Sequence, residues 1–163
     1  MIFRQLFDKE SSTYTYLLGC ESTRSAVLID PVKEQVERDL KLLEELGLTL
    51  QLVLDTHVHA DHITAAGELR DRTSCNTGVS IQCEVGCANL QLIEGQSIEV
   101  GKISIQVLET PGHTSGCLSY LVGDMAFTGD ALLIRGCGRT DFQGGSMVID
   151  DTERKRSKKT KAI

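Results

Sequence analysis

A chain of 163 residues with 40% hydrophobic and 25% charged content matches one soluble globular domain large enough to bury a core. No apolar run approaches the roughly 20 residues that span a bilayer, so no membrane partner is expected. The net charge of −6 is uneven: residues 150–163 carry six Lys/Arg against three Asp/Glu, leaving 11 against 20 in residues 1–149, and this acidic body argues against nucleic acid as the main partner.

The N-terminus, Met1 to Asp8, already alternates like a strand and carries neither an apolar signal core nor an Arg/Ser-rich leader. A cytoplasmic protein is expected, or a processed one of the mitochondrial matrix. Residues 2–8, 13–19 and 25–30 read as three strands joined by short polar turns, which favours an antiparallel meander. Asp30-Pro31 reads as a helix start, with Asp as N-cap and Pro at the first helical position. Val36, Leu40, Leu43 and Leu46 then recur at spacings of four and three, predicting an amphipathic helix that ends at Gly47. Leu50 to Asp55 is an apolar run suited to a strand buried on both faces.

Directly after it, Thr56-His57-Val58-His59-Ala60-Asp61-His62 holds three of the four histidines. A strand that empties into such a loop places ligand atoms at its carboxyl end, where open α/β sheets commonly build their sites. Imidazole suits zinc, copper, iron and nickel, and the carboxylate adds a hard oxygen donor. Ile63 to about Arg72 predicts a helix whose N-terminus would favour an anion beside the loop. Val79 to Gln82 reads as a short strand, and 97–100 with 103–109 as a hairpin around Gly101-Lys102. The fourth histidine follows in Thr110-Pro111-Gly112-His113-Thr114, and Leu118 to Val122 with Met125 to Thr128 form a second hairpin. Strand clusters interleaved with helices indicate an α/β or α+β domain.

The cysteines Cys20, Cys75, Cys83, Cys87, Cys117 and Cys137 show no spacing of a stapled scaffold, and reduced thiols are expected. Cys75, Cys83 and Cys87 lack a CxxC pair and a fourth ligand, so packing outweighs a thiolate metal site. From Ser146 the chain loses apolar periodicity and turns basic. A domain over 1–145 and a disordered tail over 146–163 are the expected organisation.

His57-x-His59-x-Asp61-His62, Pro111-Gly112-His113-Thr114 and Phe127-Thr128-Gly129-Asp130 resemble, in order, the metal-binding motifs of the metallo-β-lactamase superfamily. The run from Thr128 to Gln143, with Arg135-Gly136-Cys137-Gly138-Arg139 at its centre, resembles the narrower persulfide dioxygenase branch. The resemblance implies an α/β fold, the αββα sandwich, with its second half incomplete because family members continue past this loop. Such a truncation would leave an apolar face or edge strand uncovered and invite aggregation or a homodimer.

The resemblance also implies the site. His57, His113 and Asp130 match the positions that hold one Fe(2+) per chain and are the implied catalytic residues; Zn(2+) is the alternative. His59, Asp61 and His62 would orient those ligands or, as in the superfamily's zinc hydrolases, reach a second metal. The implied reaction oxidises glutathione persulfide with O2 to sulfite and glutathione. Arg139 would grip a glutathione carboxylate in a bidentate fork, or else pin its own loop. Gly129 would let the backbone turn so that the Asp130 carboxylate points inward. Two alternatives stand: a truncated, non-catalytic metal-binding isoform or paralogue, and a zinc thioester hydrolase of the glyoxalase II type. The hydrolase needs a later histidine, and the sequence has none after His113.

Overall fold

The computed structural model describes residues 1–141 and the backbone of 161–162. The domain boundary at 145 and most of the expected basic tail therefore lie outside the described residues. Two sheets stack face to face. In the first, β1 (Ile2–Asp8), β2 (Thr13–Gly19), β3 (Ser25–Ile29), β4 (Thr49–Leu54), β5 (Asn76–Ser80) and β6 (Leu90–Leu92) lie side by side in chain order. β1 to β3 form the expected antiparallel meander, and β3 to β6 run parallel. The first two parallel steps pass through α1 (Val36–Glu45) and α2 (Ala66–Thr73), and the third through a 3-10 turn over Ile81–Cys83. In the second sheet β7 (Ser97–Val100), β8 (Ile103–Glu109), β9 (Leu118–Val122) and β10 (Met125–Phe127) are successive antiparallel neighbours. The backbone of β11 (Lys161–Ala162) pairs parallel to β10.

Period-two patterning explains which face goes inward. In β8 Ile103, Ile105 and Val107 are buried while Ser104 and Gln106 face solvent. The inner residues meet Leu18, Val27, Ile29 and Leu54 of the first sheet, and Tyr120 and Phe127 close the layer. The outer face of the first sheet packs Leu17, Leu28 and Val53 against Val36, Leu43 and Leu69 of the two helices. All five residues of β3 are buried for that reason: its two faces serve two cores. Among the described residues both helices lie on the first sheet, as an αββα sandwich with an incomplete second half requires.

The departures from expectation have tertiary causes. Asp30 does not cap a helix; its backbone is left-handed (φ +50°) and its carboxylate bonds Thr56, so α1 starts only at Val36 after a 3-10 turn over Lys33–Gln35. The second helix begins at Ala66, not Ile63, because Ile63 accepts from the Lys33 N–H and Thr64 bridges to Val32. Pairing with β4 places β5 three residues earlier than its apolar residues indicate. β6 is three residues long, too short to show a period. All six cysteines are free thiols.

Asp39 on α1 is fully buried, with one oxygen 2.8 Å from the Arg38 guanidinium and the other without a partner among the described residues. Burial pushes its carboxyl above the ordinary 3.8, and the adjacent Arg38 only partly opposes this. A raised folded value means that ionisation weakens the fold as pH rises from the unfolded value upward. Asp39→Asn should therefore raise the urea midpoint more at pH 7 than at pH 4. Equal shifts at both pH values would contradict the assignment.

Candidate metal centre

β4 delivers the histidine loop, and both sheets hold it in place. The Asp55 N–H donates to the Gly78 carbonyl of β5 at 3.0 Å. From the second sheet, the Tyr120 hydroxyl donates to the Asp55 carbonyl and the Leu118 N–H to the Thr56 carbonyl, each at 2.7 Å. The His113 loop leaves β8 and is closed where the Thr110 N–H donates to the Cys117 carbonyl at 2.9 Å. Asp130 stands in a 3-10 turn after β10, held by the Ala131 N–H on the Thr128 carbonyl at 3.1 Å.

These three loops converge. One ligand atom each from His57, His113 and Asp130 lies within 4.8 Å of the others, with 3.6 Å between His113 Nε2 and Asp130 Oδ2. That is close to the span of donors around a cation bound at about 2.1 Å. His57 and His113 are buried and meet edge to face with ring centroids 5.0 Å apart, whereas Asp130 is half-exposed. His59, Asp61 and His62 form a second cluster of the same tightness, and Asp30, Asp55 and His59 a third.

Hydrogen bonds set the histidine tautomers. Thr56 Oγ1 donates to Asp30 Oδ2 at 2.9 Å, so its oxygen accepts from His57 Nδ1, also at 2.9 Å. His113 Nδ1 donates to the Arg139 carbonyl at 2.7 Å. Each ring spends its Nδ1 proton outward and keeps an Nε2 lone pair for the cluster, which is the state a metal ligand needs. His59 Nε2 donates to Asp30 Oδ1 at 3.2 Å. His62 Nε2 is buried with no partner among the described residues, and a bound cation would satisfy it. Two imidazoles with lone pairs aimed at a carboxylate fit a metal ion.

The electrostatics agree. Burial, followed by the neighbouring His59 charge, holds His57 down at about 4, so it is neutral at neutral pH. His59 rises to about 9: burial opposes protonation, but the Asp30 hydrogen bond and the charges of Asp30, Asp55 and Asp61 outweigh it. Burial and the Asp30 charge push Asp55 up to about 7. Asp30 itself is fully buried, yet its bond to His59 and the Thr56 N–H keep it below the ordinary range.

Gly129 behaves as the sequence implies. Its φ is +48°, and an added Cβ would lie 2.3 Å from Thr56 Oγ1, so glycine lets the third loop settle on the first. The Arg139 guanidinium makes a two-pronged pair with Asp141 at 2.7 and 2.9 Å and is largely exposed, while its carbonyl supports His113. Sequence reasoning missed Asp30 and Thr56 as supports of the cluster. The available signal was an acid at the end of a buried strand, which reads equally well as a helix cap. A cavity of about 320 Å³, lined by His57, His59, His62, Thr64, Arg70 and Cys87, opens beside the cluster.

Asp30→Asn keeps the volume but replaces one acceptor oxygen with an NH2 donor, facing groups that themselves donate. It should lower the unfolding free energy of the metal-free protein by about 2–4 kcal/mol, the usual penalty for breaking a buried, hydrogen-bonded ion pair. An unchanged urea midpoint at pH 7 would show that Asp30 does not organise the loop.

Comparison with known proteins follows the same motifs. Residues 8–81 and 89–162 match the metallo-beta-lactamase superfamily. The mitochondrial persulfide dioxygenase ETHE1 of Mus musculus is 50% identical over 147 residues, which are 89% of this chain and 58% of that relative. The crystal structure of ETHE1 from Myxococcus xanthus superposes with a TM-score of 0.85 at 63% identity, covering 89% of this chain and 64% of that one. A protein crystallised in a di-iron-bound form superposes with a TM-score of 0.72 at 26% identity, covering 87% and 79%. The chain thus spans less than two thirds of the length of these two ETHE1 proteins. It belongs to the metallo-β-lactamase superfamily.

Proposed function

We propose that the chain is an iron-dependent persulfide dioxygenase in which His57 Nε2, His113 Nε2 and an Asp130 carboxylate oxygen hold one Fe(2+). The convergence of these three donors within 4.8 Å, both imidazoles primed by outward Nδ1 bonds, carries the reading. The similarity to persulfide dioxygenases at 50 and 63% identity supports the substrate class. Glutathione persulfide, O2 and one water give glutathione and sulfite, with the outer sulfur losing the four electrons that O2 accepts. Iron held by the His57 and His113 imidazoles and the Asp130 carboxylate would supply redox chemistry and a place for O2 and the substrate sulfur to be brought together.

The chain's own residues do the rest. Thr56 and Asp30 anchor His57 by a relay of two hydrogen bonds. Asp30 keeps His59 protonated beside the site, and the buried pair is neutral overall. Arg139 already holds the Asp141 carboxylate in a bidentate fork, and a glutathione carboxylate would be gripped the same way. The mouse relative is a mitochondrial protein, which supports a mitochondrial location over a cytoplasmic one.

One observation favours a second reading. His62 Nε2, without a partner among the described residues, forms with His59 and Asp61 a donor set for a second cation, as a zinc thioester hydrolase would use. Elemental analysis beside an oxygen electrode separates the readings. About one iron per chain and O2 loss that depends on glutathione persulfide are expected, and Asp130→Ala should abolish both. Two zincs per chain with hydrolysis of S-lactoylglutathione and no O2 loss would establish the hydrolase. A flat electrode with iron-loaded, folded protein would establish a non-catalytic metal-binding chain.

A further inference from the structure

We infer that Gly138 and the Arg139 backbone form a strap that fixes His113 and Asp130 relative to each other, making Gly138 a positioning residue of the metal centre. The inference rests on the assignment of those two residues as ligands.

Between Leu132 and Arg139 the chain makes a tight excursion from the fold. The Leu133 N–H donates to the Gly136 carbonyl at 2.9 Å and the Gly136 N–H returns the bond at 3.3 Å. Arg135 turns with φ +65°, and Ile134 at the tip is 96% exposed. Every residue from Leu132 to Arg139 is exposed except Gly138, which is buried. There the chain returns to the cluster. The Gly138 N–H donates to the Asp130 carbonyl at 2.6 Å, and the next residue's carbonyl accepts the His113 Nδ1 proton at 2.7 Å. One dipeptide therefore binds two ligand residues that arrive on separate loops.

Glycine is required here for space rather than for backbone conformation, since Gly138 does not share the positive φ found at Gly129. A Cβ at position 138 would lie 2.7 Å from His113 Nδ1, 2.7 Å from the Asp130 carbonyl oxygen and 2.9 Å from Asp130 Cβ. None of these is the free end of a flexible side chain. One belongs to a ring held by the adjoining carbonyl, and two to the backbone and first carbon of Asp130. A methyl group can be accommodated only by moving a ligand, and metal sites tolerate displacements of about 0.5 Å. Gly136, in the same excursion, would place its Cβ in open space and is an internal control.

Cobalt(II) affinity, measured by chelator competition on the full chain, tests the strap together with the visible spectrum of the complex and the melting of the metal-free protein. Gly138→Ala should weaken cobalt binding about 10–100-fold, the range for losing a group that orients a ligand. It should also shift the cobalt absorption bands while leaving metal-free melting unchanged. Gly136→Ala should leave all three as they are. The strap is overturned if Gly138→Ala binds cobalt as the unmodified chain does, if Gly136→Ala weakens it equally, or if Gly138→Ala mainly lowers metal-free melting. Failure of the unmodified chain to bind cobalt would overturn the ligand assignment instead.

Discussion

The carboxylate of Asp30 is fully buried at the end of β3, and three groups arrange themselves around it. One oxygen accepts from the Thr56 N–H and His59, the other from the Thr56 hydroxyl. A buried carboxylate is tolerable only when its lone pairs are filled and a counter-charge is near. Both conditions are met by the loop that carries the histidines. The loop's path is therefore dictated by the need to solvate Asp30. His57 inherits its orientation through Thr56, and His59 its charge through direct contact. Gly129 packs on the same Thr56 hydroxyl, so the loop bearing Asp130 is seated on this network as well.

A sandwich suits this arrangement because its two sheets can each contribute loops to one edge. β4 and β5 bring the first loop, and β8 to β10 bring the other two. Tyr120 and Leu118 bond the backbone at Asp55 and Thr56 from the opposite sheet, so the sheets cannot slide without disturbing the candidate ligands. Both histidines of the candidate site are held at two levels: backbone bonds locate the loop, and a second bond on the imidazole selects which nitrogen faces inward. The half-exposed Asp130 leaves one side of the cluster open to solvent.

Much of this was legible in the sequence. The alternation of Ile103, Ile105 and Val107 gave β8 its register, and the dense histidine run after a buried strand marked the site. The family motifs added His113 and Asp130, which spacing alone could not have joined to His57. What local pattern could not show was the use made of Asp30. An acid followed by proline satisfies the rule for a helix start, and only the fold shows Thr56 and His59 claiming the side chain instead. The beginnings of α2 and β5 were misplaced for a related reason: partners distant in sequence set them, not the residues' own periodicity. At Arg139 the sequence drew attention to the guanidinium, while the carbonyl, invisible to any motif, is what reaches His113.

X-ray absorption at the iron edge of the anaerobically loaded protein tests whether this network prepares His57, His113 and Asp130 to hold a single metal ion. Nitrogen and oxygen neighbours at about 2.0–2.2 Å are expected, with multiple scattering from two imidazoles. A metal–metal vector at about 3.5–4 Å would contradict this assignment, because His59, Asp61 and His62 would then hold a second ion. So would a sulfur neighbour at about 2.3 Å in the absence of substrate, since no cysteine belongs to the candidate clusters among the described residues.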